Sequence, residues 1–203
     1  MNRIIALISA MWLLLGAGTG FAADDKKDVN IRPDIASVEV QTPDGPVTIE
    51  RIQDTEHEIT GYFAQTSRAC PPFCIQPFKV ADNVATIGEL ELLDMLTDSQ
   101  ARVVDARTLE WHLQGTIPGS VHIPYTEIAA RLDELGCVKT DDAWDCSKAV
   151  PVALYCNGLW CGQSPTAIRA MLRENYPAER IFYYRGGMQA WKILGLTTVE
   201  GGL

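Results

Sequence analysis

The chain has 203 residues, with 17 Lys and Arg against 26 Asp and Glu, a formal net charge of −9. That length holds one ordinary domain and an extension. The acidic balance excludes nucleic acid and anionic membrane as partners, because both are bound through clusters of basic residues that this chain lacks.

Arg3 and the amino terminus lead into an apolar run from Ile4 to Leu15, and small residues then reach Gly20-Phe21-Ala22 ahead of Ala23-Asp24-Asp25. This is the layout of a secretory signal peptide cut after Ala22. The run falls short of the roughly 20 residues that a membrane helix needs; an uncleaved anchor is the alternative reading. Cleavage leaves 16 basic against 26 acidic residues, a net charge of −10. A periplasmic location is expected, with no membrane association after the cut.

Residues 23 to about 35 are polar and charged and read as a flexible lead. Val38-Glu39-Val40 and Val47-Thr48-Ile49 alternate apolar and polar residues around Pro43-Asp44-Gly45-Pro46, which predicts a β-hairpin. The stretch from Thr66 to Phe78 contains Cys70-Pro71-Pro72-Phe73-Cys74 and Pro77, too much proline for a helix. The expected organisation is therefore a leader over 1–22, an extension over 23–84 whose residues 36–80 pack on the main domain, and that domain over 85–203.

From Ala85 the pattern changes. Thr86 with Glu89 three positions on predicts a capping box for a helix through about Leu96, with Leu90, Leu93 and Leu96 on one face. Val103-Val104 reads as a short buried strand, Thr126 to Leu135 as a helix, and Val150 to Tyr155 as a second buried strand. Ser164 to Arg173 follows as a helix, Ile181 to Tyr184 as a strand and Met188 to Leu194 as a last helix. Strands spaced by helices predict an α/β fold, a mostly parallel sheet with helices on both faces. Ligands of such sheets sit beyond the carboxyl ends of the strands, which directs attention to the loops after Val104 and Tyr155.

The second loop begins with Cys156 and runs through Asn157, Gly158, Leu159, Trp160, Cys161, Gly162 and Gln163 to a helix near Ser164-Pro165. Loop amides and the positive end of that helix would face the sulfur and favour its thiolate, a nucleophile. The plain alternative is a small apolar residue buried at a strand end. Cys161 lies within reach as a resolving thiol, so the pair could cycle between dithiol and disulfide or stay permanently oxidised. Cys137 and Cys146 flank a polar turn that could close a disulfide. Cys70 and Cys74 could bridge to each other, remain thiols or exchange with Cys156. Zinc is the competing use of six cysteines, but the spacings are not Cys-x-x-Cys, and His57, His112 and His122 are not placed near them as ligands.

Three ordered motifs surround Cys156. Val103-Val104-Asp105-Ala106-Arg107 with Glu110-Trp111, then Gly115-Thr116-Ile117-Pro118-Gly119-Ser120-Val121-His122-Ile123-Pro124, then Tyr184-Arg185-Gly186-Gly187-Met188-Gln189-Ala190-Trp191 resemble the signatures of the rhodanese family over residues 85–196. The resemblance implies a rhodanese-like parallel sheet with a short β-rich N-terminal extension, and it places Cys156 at the position of the sulfur-carrying cysteine. It implies sulfurtransferase activity through a persulfide, with thiosulfate or a persulfide as donor, a thiol as acceptor, and no metal or organic cofactor. Arg107 and Arg185 are the candidate donor-attracting cations. Asp105, Gly119, Gly186, Gly187 and Trp191 read as structural.

The active loop departs from the family, because residues 157–164 contain no basic residue. That counts against thiosulfate, a dianion that wants a cation. It also counts against the phosphatase chemistry of related folds, where Gly162 would have to be an arginine. Two rival readings remain: a thiol-disulfide oxidoreductase using Cys156 and Cys161, and a non-catalytic module that binds a periplasmic protein through residues 36–80.

Overall fold

The computed structural model describes residues 28–141 and 143–202, so the expected leader at 1–22 lies outside the described residues. Strands β1 (Ser37–Thr42) and β2 (Gly45–Glu50) pair antiparallel, with Thr42 opposite Gly45, and form the hairpin expected from the alternation. The two-residue connection Pro43-Asp44 is followed by Gly45 at φ +117°, a conformation that glycine adopts without strain. Val40 and Ile49 face the same side and are buried, so the hairpin adds to the core instead of standing free.

The main unit runs β3 (Ala85–Ile87), α1 (Glu89–Thr97), β4 (Arg102–Asp105), α2 (Leu109–Leu113), β5 (Val121–His122), β6 (Val138–Lys139), β7 (Trp144–Asp145), β8 (Val152–Tyr155), α3 (Gln163–Arg173), β9 (Ile181–Tyr184) and α4 (Gly187–Ile193). Five of the strands make one parallel sheet in the order β3-β9-β8-β4-β5. Its central strand β8 is buried along its whole length, because its residues alternate between two cores. Val152 and Leu154 pack with Ala167, Ile168 and Met171 of α3. Ala153 and Tyr155 pack with Leu92 and Leu93 of α1 and with Met188 and Trp191 of α4. The near-continuous apolar run of β8 is what a strand covered on both faces requires.

Several local expectations are corrected. Thr86 lies in β3, and α1 starts at Glu89, where the Glu91 carboxylate accepts from the Gly88 amide at 3.0 Å. The cap is displaced because residues 85–87 first pair with β9. Leu92 and Leu93 are buried on α1 and Leu90 is exposed, so Leu90 is not part of the inward face. Residues 126–135 form two 3₁₀ turns, Ile128–Ala130 and Leu132–Leu135, parted at Arg131 (φ −121°, ψ 30°). Ile128, Leu132 and Leu135 are still fully buried. Apolar spacing specified that burial, while the segment is shorter than an isolated helix can sustain and Arg131 is engaged by Glu127 and Glu134. The short β3, α2, β5, β6 and β7 were not anticipated.

Cys137 is joined to Cys146 beside the β6–β7 hairpin, and Cys70 to Cys74. These bonds remove four cysteines from the ligand set considered for zinc. Cys156 and Cys161 remain thiols.

Candidate active site

Cys156 follows the last residue of β8, at the carboxyl edge of the central strand, and is 2% exposed. The loop is pinned from below by α4: the Met188 amide donates to the Cys156 carbonyl at 2.9 Å and the Gln189 amide to the Asn157 carbonyl at 3.0 Å. That approach needs glycine at 187, which sits at φ +55°, since a Cβ there would lie 2.3 Å from the Cys156 carbonyl oxygen. Within the loop the Cys161 amide donates to the Gly158 carbonyl at 2.9 Å, and the Thr166 amide to the Gly162 carbonyl at 3.0 Å, which opens α3 directly beneath the sulfur.

The electrostatics follow from this wrapping. Burial by itself disfavours the Cys156 thiolate. Donation from the Cys161 thiol, from the Ser164 hydroxyl (3.1 Å) and amide, and from the Gly158 amide outweighs it and lowers Cys156 to about 7. The Cys161 carbonyl, 3.1 Å from Cys156 Sγ, acts in the opposite sense, because it accepts from a thiol and repels a thiolate. Four donors against one acceptor leave the anion favoured. Cys161 is pushed strongly upward, first by its bond to the Cys156 sulfur and then by its own burial. Its side chain also lies 3.7 Å from Gln163 Oε1. The site therefore sets a thiol whose anion is favoured beside a thiol pushed towards keeping its proton.

Arg107 does not sit on the rim. It is 1% exposed and donates to Asp105 through Nε (2.8 Å) and Nη2 and to the Gly115 carbonyl at 2.7 Å. Burial would raise the Asp105 carboxyl, but hydrogen bonds from Arg107 and His112 and the guanidinium charge hold it well below the usual carboxylate range. Thr116 Oγ1 donates to the same carboxylate at 2.9 Å. A guanidinium so committed cannot attract a donor; what reaches the loop is Nη1, 3.4 Å from Asn157 Oδ1. Arg185, in contrast, lies beside the loop and donates from Nη2 to the Gln76 carbonyl at 2.9 Å.

Gln76 belongs to the extension, which covers the site. Its amide donates to the Leu159 carbonyl at 2.8 Å and its side chain approaches Gly162. Trp160 Nε1 donates to Gln189, whose own amide group donates to the Phe63 carbonyl at 2.8 Å. Tyr62 and Phe73 pack edge-on against Trp160, at 5.8 and 5.0 Å between centroids. The Arg68 guanidinium rests 4.2 to 4.4 Å from the centres of Tyr62, Phe73 and Trp160. Leu159 remains exposed, whereas Asn157 and Ser164 are buried. Arg68, Phe73 and Gln76 were not found from the sequence; a proline-rich segment far from Cys156 carried no local signal of where it would land.

A model of the rhodanese-like domain matches residues 89–194. An HTH-type transcriptional regulator of Mycobacterium tuberculosis is 32% identical over 115 residues, which are 57% of this chain and 45% of the regulator. The chain thus spans less than half the length of that relative. An uncharacterized protein of Buchnera aphidicola is 23% identical over 112 residues, 55% of this chain and 67% of its own. Among solved structures, a human single-domain sulfurtransferase is 21% identical and covers 54% of this chain and 96% of its own, with a TM-score of 0.42. A rhodanese-related protein of Thermoplasma volcanium is 21% identical over 57% of this chain and 97% of its own, with a TM-score of 0.41. With the match extending over more than half of its residues, and a five-stranded parallel sheet presenting Cys156 at its central carboxyl edge, the chain belongs to the rhodanese-like domain family.

Proposed function

We propose that the protein is an exported sulfurtransferase that carries sulfane sulfur as a persulfide on Cys156. The observation that carries this reading is the buried Cys156 sulfur faced by the Ser164 hydroxyl, the Gly158 and Ser164 amides and the Cys161 thiol, donors that favour its thiolate. The Cys156 thiolate attacks the outer sulfur of a donor. A sulfur-sulfur bond forms on the enzyme, the donor's own sulfur-sulfur bond breaks, and its leaving group departs with the electron pair. A thiolate acceptor reverses the sense of the step, taking the outer sulfur and returning Cys156 as thiolate. The same donors that hold the thiolate are placed to hold the persulfide anion. The two disulfides support an oxidising, periplasm-like compartment for the mature chain. No metal or organic cofactor enters the scheme.

The test is peptide mass spectrometry of the reduced protein after separate exposure to thiosulfate and to a low-molecular-weight persulfide. One added sulfur atom on the Cys156 peptide, removable by cyanide and absent from Cys156→Ser, is the expected result. A second reading, dithiol-disulfide exchange, is favoured by the Cys161 thiol lying against the Cys156 sulfur. If neither donor adds sulfur and Cys156 closes onto Cys161 instead, sulfur transfer is refuted and the redox reading takes its place. Cys161→Ser separates the two further, because sulfur transfer survives it and dithiol cycling does not.

A further inference from the structure

The active loop carries no cation of its own, yet cations surround it. Among the described residues the buried side-chain polar atoms without a hydrogen-bond partner are Asn30 Oδ1 and four donors: Arg68 Nη1 and Nη2, Arg185 Nε and Tyr183 Oη. The two arginines lie beside the Cys156–Gln163 loop. Arg68 lies 4.3 Å over the Trp160 ring, and Arg185 is tied to Gln76, which holds the Leu159 carbonyl. Tyr183 is fully buried on β9 and packs in the core with Leu154 and Ile168.

The geometry of Arg68 separates two functions of one guanidinium. Its central carbon lies over the faces of three aromatic rings, which attract the charge. Its two terminal nitrogens are left without an acceptor, although a buried unpaired N–H is costly and rare in native proteins. Neither Arg68 nor Arg185 has a carboxylate partner among the ion pairs of the described residues. A forked donor held over three rings with both terminal nitrogens unpaired suits a planar or tetrahedral oxyanion.

We propose that Arg68, supplied by the extension, replaces the missing loop cation, and that with Arg185 it receives the oxyanion end of the sulfur donor. The proposal rests on the sulfurtransferase reading and adds to it a specificity-determining residue from outside the matched residues 89–194, for donors that end in a sulfonate-like group such as thiosulfate. The Cys156 thiolate bonds to the outer sulfur of thiosulfate, the sulfur-sulfur bond of the donor breaks, and sulfite leaves with the electron pair into contact with Arg68. Charge balances, since a thiolate and a dianion become a persulfide anion and a dianion.

Two measurements keep this proposal apart from the reading beneath it. In Cys156→Ser, which cannot react, thiosulfate is titrated against tryptophan fluorescence, since Arg68 lies on Trp160. Saturable binding is expected, weakened about tenfold or more by adding Arg68→Gln and less by Arg68→Lys, which keeps the charge and loses the fork. In the chain with Cys156 intact, sulfur loading is compared between thiosulfate and 2-aminoethyl persulfide, whose headgroup is an ammonium. Arg68→Gln is expected to lower the ratio of the two loading rates about tenfold. Binding that does not depend on Arg68, or a loading ratio that Arg68→Gln leaves unchanged, overturns the proposal. Thiosulfate binding through Arg68 with no sulfur on Cys156 from either donor would uphold the anion site and sink sulfur transfer.

Discussion

Ser164→Ala tests how the loop makes Cys156 a nucleophile. The hydroxyl donates to Cys156 Sγ at 3.1 Å from a fully buried position, where water cannot replace it. A hydrogen bond to a charged group contributes about 1.5–3 kcal/mol. At about 1.4 kcal/mol per unit, its loss raises the thiol by about 1 to 2 units, from about 7 to about 8–9. At pH 7 the thiolate fraction then falls from about one half to between about 9% and 1%. Intrinsic nucleophilicity rises as the thiol becomes more basic, by about threefold to eightfold over that range. The net result is alkylation about 2- to 6-fold slower at pH 7, with a plateau above pH 9 that is higher than in the wild type. The assay is the rate of iodoacetamide labelling of the Cys156 peptide from pH 5 to 10. A midpoint that moves by less than about 0.3 unit, or a lower plateau, would refute the claim that Ser164 stabilises the anion.

Two further substitutions probe the frame beneath the loop. Gly187→Ala puts a Cβ 2.3 Å from the Cys156 carbonyl and 2.8 Å from the Gly158 amide at a positive φ, with backbone as the obstacle. A loss of about 2–4 kcal/mol in urea unfolding, together with loss of Cys156 reactivity, is expected. Asp105→Asn leaves the 1% exposed Arg107 without its counter-charge and should cost about 3–5 kcal/mol at pH 7. The pH sign follows from a folded-state carboxyl held below its unfolded value. Its stabilisation is present above the unfolded pKa of about 4 and is lost as pH falls below it, so the gap between wild type and variant narrows from pH 5 to pH 3. A gap that stays constant would remove Asp105 from that role.

Access to Cys156 also bears on the chemistry. The thiolate is 2% exposed beneath a segment joined to the loop by Gln76, Arg68 and Phe73. The Cys70–Cys74 bond closes the part of that segment that holds Phe73 against Trp160. Anything that reaches the sulfur from this side meets the extension first, so extension residues are placed to select what enters.

The main architecture was legible because local patterns carry it. Period-2 alternation around a turn-forming centre suggests the hairpin locally, and the short apolar run Val152–Tyr155, ahead of a glycine-bearing loop, reads as a strand covered on both faces. Cys156, its glycine-bearing loop and the helix from Gln163 lie in one continuous stretch, so strand, turn and helix end could be placed around the sulfur from spacing alone. Elements three to five residues long escaped, because their pairing is set by partners elsewhere and not by their own periodicity. Thr86 illustrates this: its capping signal was genuine in form, but pairing with β9 took precedence. The roles of the arginines needed the tertiary structure. Arg107 and Asp105 are adjacent enough to pair locally, yet only the fold buries them together and removes Arg107 from the rim. Arg185 and Gln76 are 109 positions apart in the chain, and no spacing rule connects them. Sequence alone determined that Cys156 stands between a strand end and a helix start, since that depends on a short segment. Which cations face it was decided by long-range packing of the extension, whose burial against the loop is a property of the whole fold and of no segment within it.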